Sequence, residues 1–164
     1  MRWSKLKKRI EDNFAENIKS RISIHSTAYG NCSCGHAWLT LDGKVIANFC
    51  TRAFFNRYPM GYGRGEMKLD NKKTNKYKDQ FVEYGEMSRQ NFYLACWEYI
   101  HKMGLDEALD SENCLIQSLA VLDKRLGKKR MNNLKKANLH RLARKLLLIR
   151  FNKDDLAVCL NQIQ

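Results

Sequence analysis

The chain has 164 residues, 44% of them hydrophobic, and 30 Lys or Arg against 17 Asp or Glu give a formal net charge of +13. That length suits one domain, or a domain with a small appended lobe, and the apolar fraction suffices for a core. No apolar run reaches the roughly 18 residues of a membrane span, and no apolar core follows the basic opening Met1–Arg9, which argues against a secretory signal.

Six Cys residues (32, 34, 50, 96, 114 and 159) are scattered along the chain, three of them within helical patterns. That usage fits reduced thiols in the cytoplasm better than a disulfide framework. With a pI near 9.6, the partners to consider are nucleic acid, an anionic membrane surface or an acidic protein face. No internal repeat stands out.

In chain order, Trp3, Leu6, Ile10, Phe14 and Ile18 recur at steps of three or four and predict a helix over roughly 3–19 with one apolar face. Glu11, Asp12 and Glu16 interrupt its basic side and argue against a membrane-surface helix. Residues 21–27 alternate apolar and polar and predict a strand. Residues 37–41 form a second strand, Asp42-Gly43 signals a two-residue hairpin turn needing positive φ, and 44–51 return as a third. Three strands make a small meander that needs a helix on one face, and the first helix is the obvious cover.

Residues 52–65 mix Phe54, Phe55, Tyr58 and Pro59 with Gly61-Tyr62-Gly63-Arg64-Gly65, and read as a flexible connection whose aromatics suit a loop or stacking on single-stranded bases. Residues 78–84 look helical, stopped by Gly85. Ser88 caps a helix carrying Phe92, Ala95, Cys96, Tyr99, Ile100 and Met103, which Gly104 ends. Ser111 or Asn113 caps the next, running from Leu115 to a break at Gly127. Lys128-Lys129-Arg130 then falls near a helix C-terminus, where the macrodipole favours cations. A last helix covers roughly 137–152, with Leu139, Leu142, Leu146 and Ile149 inward and Arg141, Arg144, Lys145 and Arg150 outward.

These elements predict an α+β fold: a helix plus antiparallel three-stranded meander lobe over 1–52, a connecting segment over 53–80, and a C-terminal bundle of short basic helices over 81–164.

The charge is concentrated. Lys124–Arg150 holds eleven Lys or Arg and no Asp or Glu, whereas Met1–Arg21 carries +4, Ile22–Asp123 carries −1 and Phe151–Gln164 carries −1. Like charge at this density repels itself and implies either an anionic partner or an unfolded tail. The Leu, Ile and Met residues threaded through the same stretch speak against a tail.

Several stretches carry a family resemblance: Arg2-Trp3-Ser4-Lys5-Leu6-Lys7, Ile24-His25-Ser26-Thr27, Ala37-Trp38-Leu39-Thr40-Leu41-Asp42-Gly43-Lys44, Asp106–Asn113 and Leu119–Arg130. Together they resemble a family of small, basic, bacterial cytosolic proteins of uncharacterised function. Its members carry Pro where this chain has Cys114 and lack Cys32 and Cys34, and 53–87 matches loosely. The resemblance implies a cytosolic bacterial protein with a shared fold and transfers no catalytic residue and no activity.

Three constellations bear on chemistry. Cys32, Cys34, His36 and Cys50 offer zinc-ligand types, but one residue between the paired Cys is too few for a usual structural site, so no metal is assigned. His25, on the more polar side of its strand, suits a general acid or base, but no second His or carboxylate at a meaningful spacing joins it. His101 and His140 fall in helical segments as surface or boundary residues. No phosphate-binding glycine loop and no Ser–His–Asp order is present.

The expected function is therefore non-enzymatic: a nucleic-acid-binding accessory protein that contacts DNA or RNA phosphates through Lys124, Arg125, Lys128, Lys129, Arg130, Lys135, Lys136, Arg141, Arg144 and Lys145, with no cofactor. The connection 127–136 is too long for a helix-turn-helix. The alternatives are a protein-interaction subunit docking on an acidic partner, as in a bacterial defence or toxin-related assembly, and a phosphodiesterase using His25.

Overall fold

The computed structural model describes residues 1–30, 33–58 and 80–151. Their order is α1 (Trp3–Glu11), α2 (Glu16–Lys19), β1 (Ile22–Ala28), β2 (Gly35–Leu41), β3 (Lys44–Cys50), α3 (Thr51–Arg57), α4 (Arg89–His101), α5 (Leu105–Leu109), α6 (Cys114–Leu122), α7 (Lys128–Leu134) and α8 (Arg141–Phe151). This is the expected α+β class: an N-terminal helix, an antiparallel sheet of order β1-β2-β3, then short helices. Two compact units form, one from Met1–Trp3 with Arg21–Leu94 and one from Ser4–Ser20 with Ala95 onward.

In the first unit, Ile22 pairs with Leu41 and Ala28 with Gly35 across β1–β2. Asp42 and Gly43 turn the chain with φ of 48° and 78°, the double positive φ their sequence predicts. Alternation buries Ile22, Ile24, Ala37, Leu39, Leu41, Ala47 and Phe49 on one face. Phe49 packs on Phe92 with centroids 5.3 Å apart, and Trp3 on Phe92 at 5.8 Å. The pairing shifts between Leu39 and Thr40, a bulge that leaves Ile46 and Ala47 both buried, and the Ile46 carbonyl accepts a hydrogen bond from Phe81 N–H.

Of the helix expected over 78–84, the described residues 80–84 form bends and a turn instead, with the Phe81 N–H given to Ile46 rather than to a helical carbonyl. Gly85 (φ 70°) sits in a turn, where a Cβ would meet the Ala53 carbonyl oxygen at 2.4 Å. Thr51, expected to end the third strand, and residues 52–57, expected as connection, together form α3, and Phe54 contacts both Phe55 and Tyr58. The Gly61–Gly65 run lies outside the described residues.

In the second unit, the helix expected over 3–19 is divided. Asn13 carbonyl accepts from Lys124 N–H and Ala15 N–H donates to Leu122 carbonyl, so Phe14 and Asp123 form an antiparallel bridge where helix would otherwise continue. Asn113 caps α6, its side-chain oxygen accepting from Leu115 and Ile116 N–H. Every residue of α6 is buried, and α6 packs against α5 and α8. In the first unit Ser88 caps α4 by accepting from Asn91 N–H, as expected.

Candidate functional site

The ten cations expected to contact phosphate all belong to the second unit, and nine of them are exposed. Lys124 and Arg125 lie in the turn after α6. Lys128, Lys129 and Arg130 form the first turn of α7, Lys135 and Lys136 follow its end, and Arg141 and Arg144 point outward from α8. The helix expected to run to Gly127 stops at Leu122, and Gly127 is instead the N-cap of α7. The Lys128-Lys129-Arg130 cluster therefore occupies the start of a helix, where the macrodipole disfavours cations. The dipole explanation for the cluster falls away.

Lys145 is the exception. It is 2% exposed, among the inward side chains of α8, and Arg150 is likewise buried at 8%. Spacing explains both. Lys145 lies three residues after Leu142 and four before Ile149, and Arg150 lies four after Leu146, so both fall on the apolar stripe.

The exposed cations differ in their ties. Arg130 pairs with Asp106 at 3.1 Å, both side chains at least half exposed. Lys135 lies 4.2 Å over the Phe151 ring, and Arg144 donates to the Ala137 carbonyl at 2.9 Å. Lys124 Nζ donates to the Asp12 carbonyl at 3.0 Å. Lys128, Lys129, Lys136 and Arg141 have no carboxylate partner among the described residues.

Arg125 is held most firmly. Its Nε and Nη2 donate to the two carboxylate oxygens of Asp123 at 2.9 and 2.8 Å, and its backbone N–H donates to Asp123 Oδ1 at 2.8 Å. The Tyr99 hydroxyl adds a fourth bond at 2.5 Å. Asp123 is 1% exposed. Burial pushes its carboxyl upward, but the bonds from Arg125 and Tyr99 outweigh that and hold it below the usual carboxylate range. Burial, then the Asp123 bond, push the Tyr99 phenol well up, so it remains a donor.

Arg150 fixes the same turn from beneath. Its Nη1 donates to the carbonyls of Val121 (2.5 Å) and Asp123 (2.8 Å), and its Nη2 to that of Leu126 (2.6 Å). The carbonyls left unsatisfied at the end of α6 thereby gain a buried charged donor. Burial lowers the Arg150 pKa from its ordinary value. The turn presenting Lys124 and Arg125 is thus bound to the Phe14 bridge on one side and to a buried guanidinium on the other.

The remaining candidates resolve into packing and capping. In the first unit His25 pairs with Trp38 across β1–β2 and stacks on it at 5.0 Å and 9°, its Nε2 lying 3.0 Å from Thr40 Oγ1, while His36 stacks on the same indole at 4.9 Å. The geometry places an indole and a hydroxyl beside His25. His36 and Cys50 face each other across β2–β3, and Cys32 lies outside the described residues. In the second unit the His140 ring accepts from Leu142 N–H at 3.2 Å, opening α8, and the His101 ring receives Arg9 Nη1 at 2.9 Å.

Tyr99, Asp123 and Arg150 are the residues that sequence reasoning missed. The one available signal was Asp123 itself, a lone carboxylate directly before a block of cations.

Residues 2–151 match the model of the SF0329 protein family, and the chain belongs to that family. No curated protein and no solved structure matches it. Among the described residues, no helix is long and apolar enough to cross a membrane.

Proposed function

We propose that this member of the SF0329 protein family is a nucleic-acid-binding accessory protein whose second unit contacts phosphates through Lys124, Arg125, Lys128, Lys129, Arg130, Lys135, Lys136, Arg141 and Arg144. The single observation that carries the reading is the cluster at the start of α7. Lys128 and Lys129 are exposed, have no carboxylate partner among the described residues, and stand where the helix dipole opposes them. A folded surface that retains uncompensated like charge is stabilised by a polyanion, and the release of counterions from nucleic acid supplies the affinity. Lys145 is left out of the contact set because it is buried.

The test is a fluorescence-anisotropy titration with single- and double-stranded DNA and RNA over a range of salt. The wild-type chain binds, log K falls linearly with log salt, and Lys128→Ala/Lys129→Ala/Arg130→Ala makes the slope shallower by about 2–3, near 0.9 per lost phosphate contact. No binding to any of the four at low salt refutes the proposal and points to an acidic protein face as the partner.

A further inference from the structure

A cleft of about 310 Å³ opens in the second unit beside the fixed turn, lined by Arg9 of α1 with Asp12 and Asn13 just after it, Tyr99 and Ile100 of α4 with Met103 just after it, and Arg125. We infer that this cleft binds one phosphorylated nucleotide, its phosphate on Arg9 and Arg125 and its ring against Ile100 and Met103. The inference rests on the nucleic-acid reading for its choice of ligand, and it adds Arg9, which lies far from the basic block in sequence.

Three observations carry it. The first is preorganisation. Two nitrogens of the Arg125 fork, Nε and Nη2, are spent on Asp123, which fixes the plane of the guanidinium and leaves Nη1 outside that pair. Asp123 is itself held by Tyr99 and by the bridge to Phe14, so little ordering remains to be done when an anion arrives. The second is the pair of cations. Arg9 gives one Nη1 bond to the His101 ring, whose Nδ1 lies 2.8 Å from the Trp97 carbonyl, and among the described residues its other donors have no partner and can meet a phosphate. Arginine suits phosphate because its planar fork can donate two bonds at once.

The third is the mixed lining. The carboxylate in the lining, Asp12, is neutralised by Lys8 at 2.8 Å, and the hydrogen bond from Lys8 holds its pKa below the ordinary value. It therefore offers acceptor oxygens to a sugar hydroxyl or a base amino group without an uncompensated charge. Ile100 and Met103 supply an apolar surface that inorganic phosphate alone would not use, and the volume lies at the small end of ligand sites.

The experiment measures binding of adenosine 5′-monophosphate and of inorganic phosphate to the full chain by calorimetry. A parallel anisotropy titration uses one short oligonucleotide with and without a 5′-phosphate. Adenosine monophosphate binds more tightly than phosphate, and Arg9→Ala weakens it roughly 10- to 100-fold, as expected for a charge-assisted contact. The exposed Lys5→Ala serves as the charge-matched control and leaves nucleotide affinity unchanged. Arg9→Ala leaves the Asp123 network intact, so its loss is not a folding effect, and circular dichroism checks this.

Tighter binding of the 5′-phosphorylated strand assigns the cleft to strand ends; equal binding of both strands with retained monophosphate binding assigns it to free nucleotide. Strand binding with no monophosphate binding overturns the cleft and leaves the surface reading standing. Monophosphate binding without strand binding overturns the surface reading and leaves the cleft.

Discussion

Replacing Asp123 with Ala should destabilise the second unit by about 3 kcal/mol. The carboxylate is buried and accepts four hydrogen bonds. Two of its donors depend on it: the buried hydroxyl of Tyr99, a residue 3% exposed, and the part-buried backbone N–H of Arg125. Each costs about 1–3 kcal/mol when stranded without a partner. The Arg125 side chain is 53% exposed, so water replaces most of its pairing and it adds little. Against a total stability of about 5–15 kcal/mol the change is large. With a urea m-value near 2 kcal/mol/M it lowers the midpoint by about 1.5 M.

A double-mutant cycle separates this network from simple packing. Tyr99→Phe alone costs about 1 kcal/mol, but in the Asp123→Ala background it is neutral or stabilising, because it deletes a hydroxyl that already lacks an acceptor. A loss under about 0.5 kcal/mol for Asp123→Ala, or strict additivity of the two changes, refutes the argument that Asp123 organises the turn.

Three other outcomes follow from the same contacts. Gly35→Ala should destabilise the sheet by about 3 kcal/mol, since a Cβ there would lie 2.1 Å from the Thr27 carbonyl oxygen and 2.9 Å from Ala28 Cα, both backbone; denaturant unfolding reads the loss. Acidification should unfold the protein through its depressed carboxyls: the Arg21 hydrogen bond lowers Asp42, and the Arg125 and Tyr99 bonds outweigh burial to lower Asp123, each from an ordinary 3.8. A folded pKa below the unfolded one gives stability that is present above the unfolded value and lost as pH falls through the folded value, so ellipticity falls below about pH 4, and less steeply with pH in Asp42→Asn. Lys145→Met should leave the salt slope of oligonucleotide binding unchanged, whereas Lys129→Ala makes it shallower by about 0.9.

The sheet was legible because its signals are local. Asp42-Gly43 states its own backbone geometry, and strict alternation states which face is buried. The second unit was less legible because its deciding contacts are remote. Nothing near Phe14 announces a bridge to Asp123, and nothing near Tyr99 announces an acceptor 24 residues on. Lys145 and Arg150 are different, since the 3.6-residue period already placed them on the apolar stripe. Side-chain type outvoted spacing there, and spacing was right: a guanidinium can be buried when three carbonyls receive it. The cleft could not be read at all, because Arg9, Tyr99 and Arg125 belong to three separated segments.

The eleven cations of 124–150 thus divide between holding the fold and straining it, and salt separates the two roles. Arg150 and Lys145 are buried, so ions in solution scarcely reach them. The nine exposed cations repel one another over distances that salt controls, as the screening length falls from about 10 Å at 0.1 M to about 3 Å at 1 M. Exposed pairs such as Arg130 with Asp106 weaken with salt too, but each is worth only a fraction of a kcal/mol. With a net charge of +13, relief of repulsion dominates. Raising sodium chloride over that range should therefore raise the free chain's melting temperature by about 2–4 °C, equivalent to about 1 kcal/mol for a chain of this size. The same change should abolish the stabilisation given by a bound oligonucleotide. Opposite signs from one variable identify exposed, uncompensated charge as the binding surface. A melting temperature that falls with salt in the free chain would mean that ion pairs already compensate the block, and the electrostatic case for a polyanionic partner would fail.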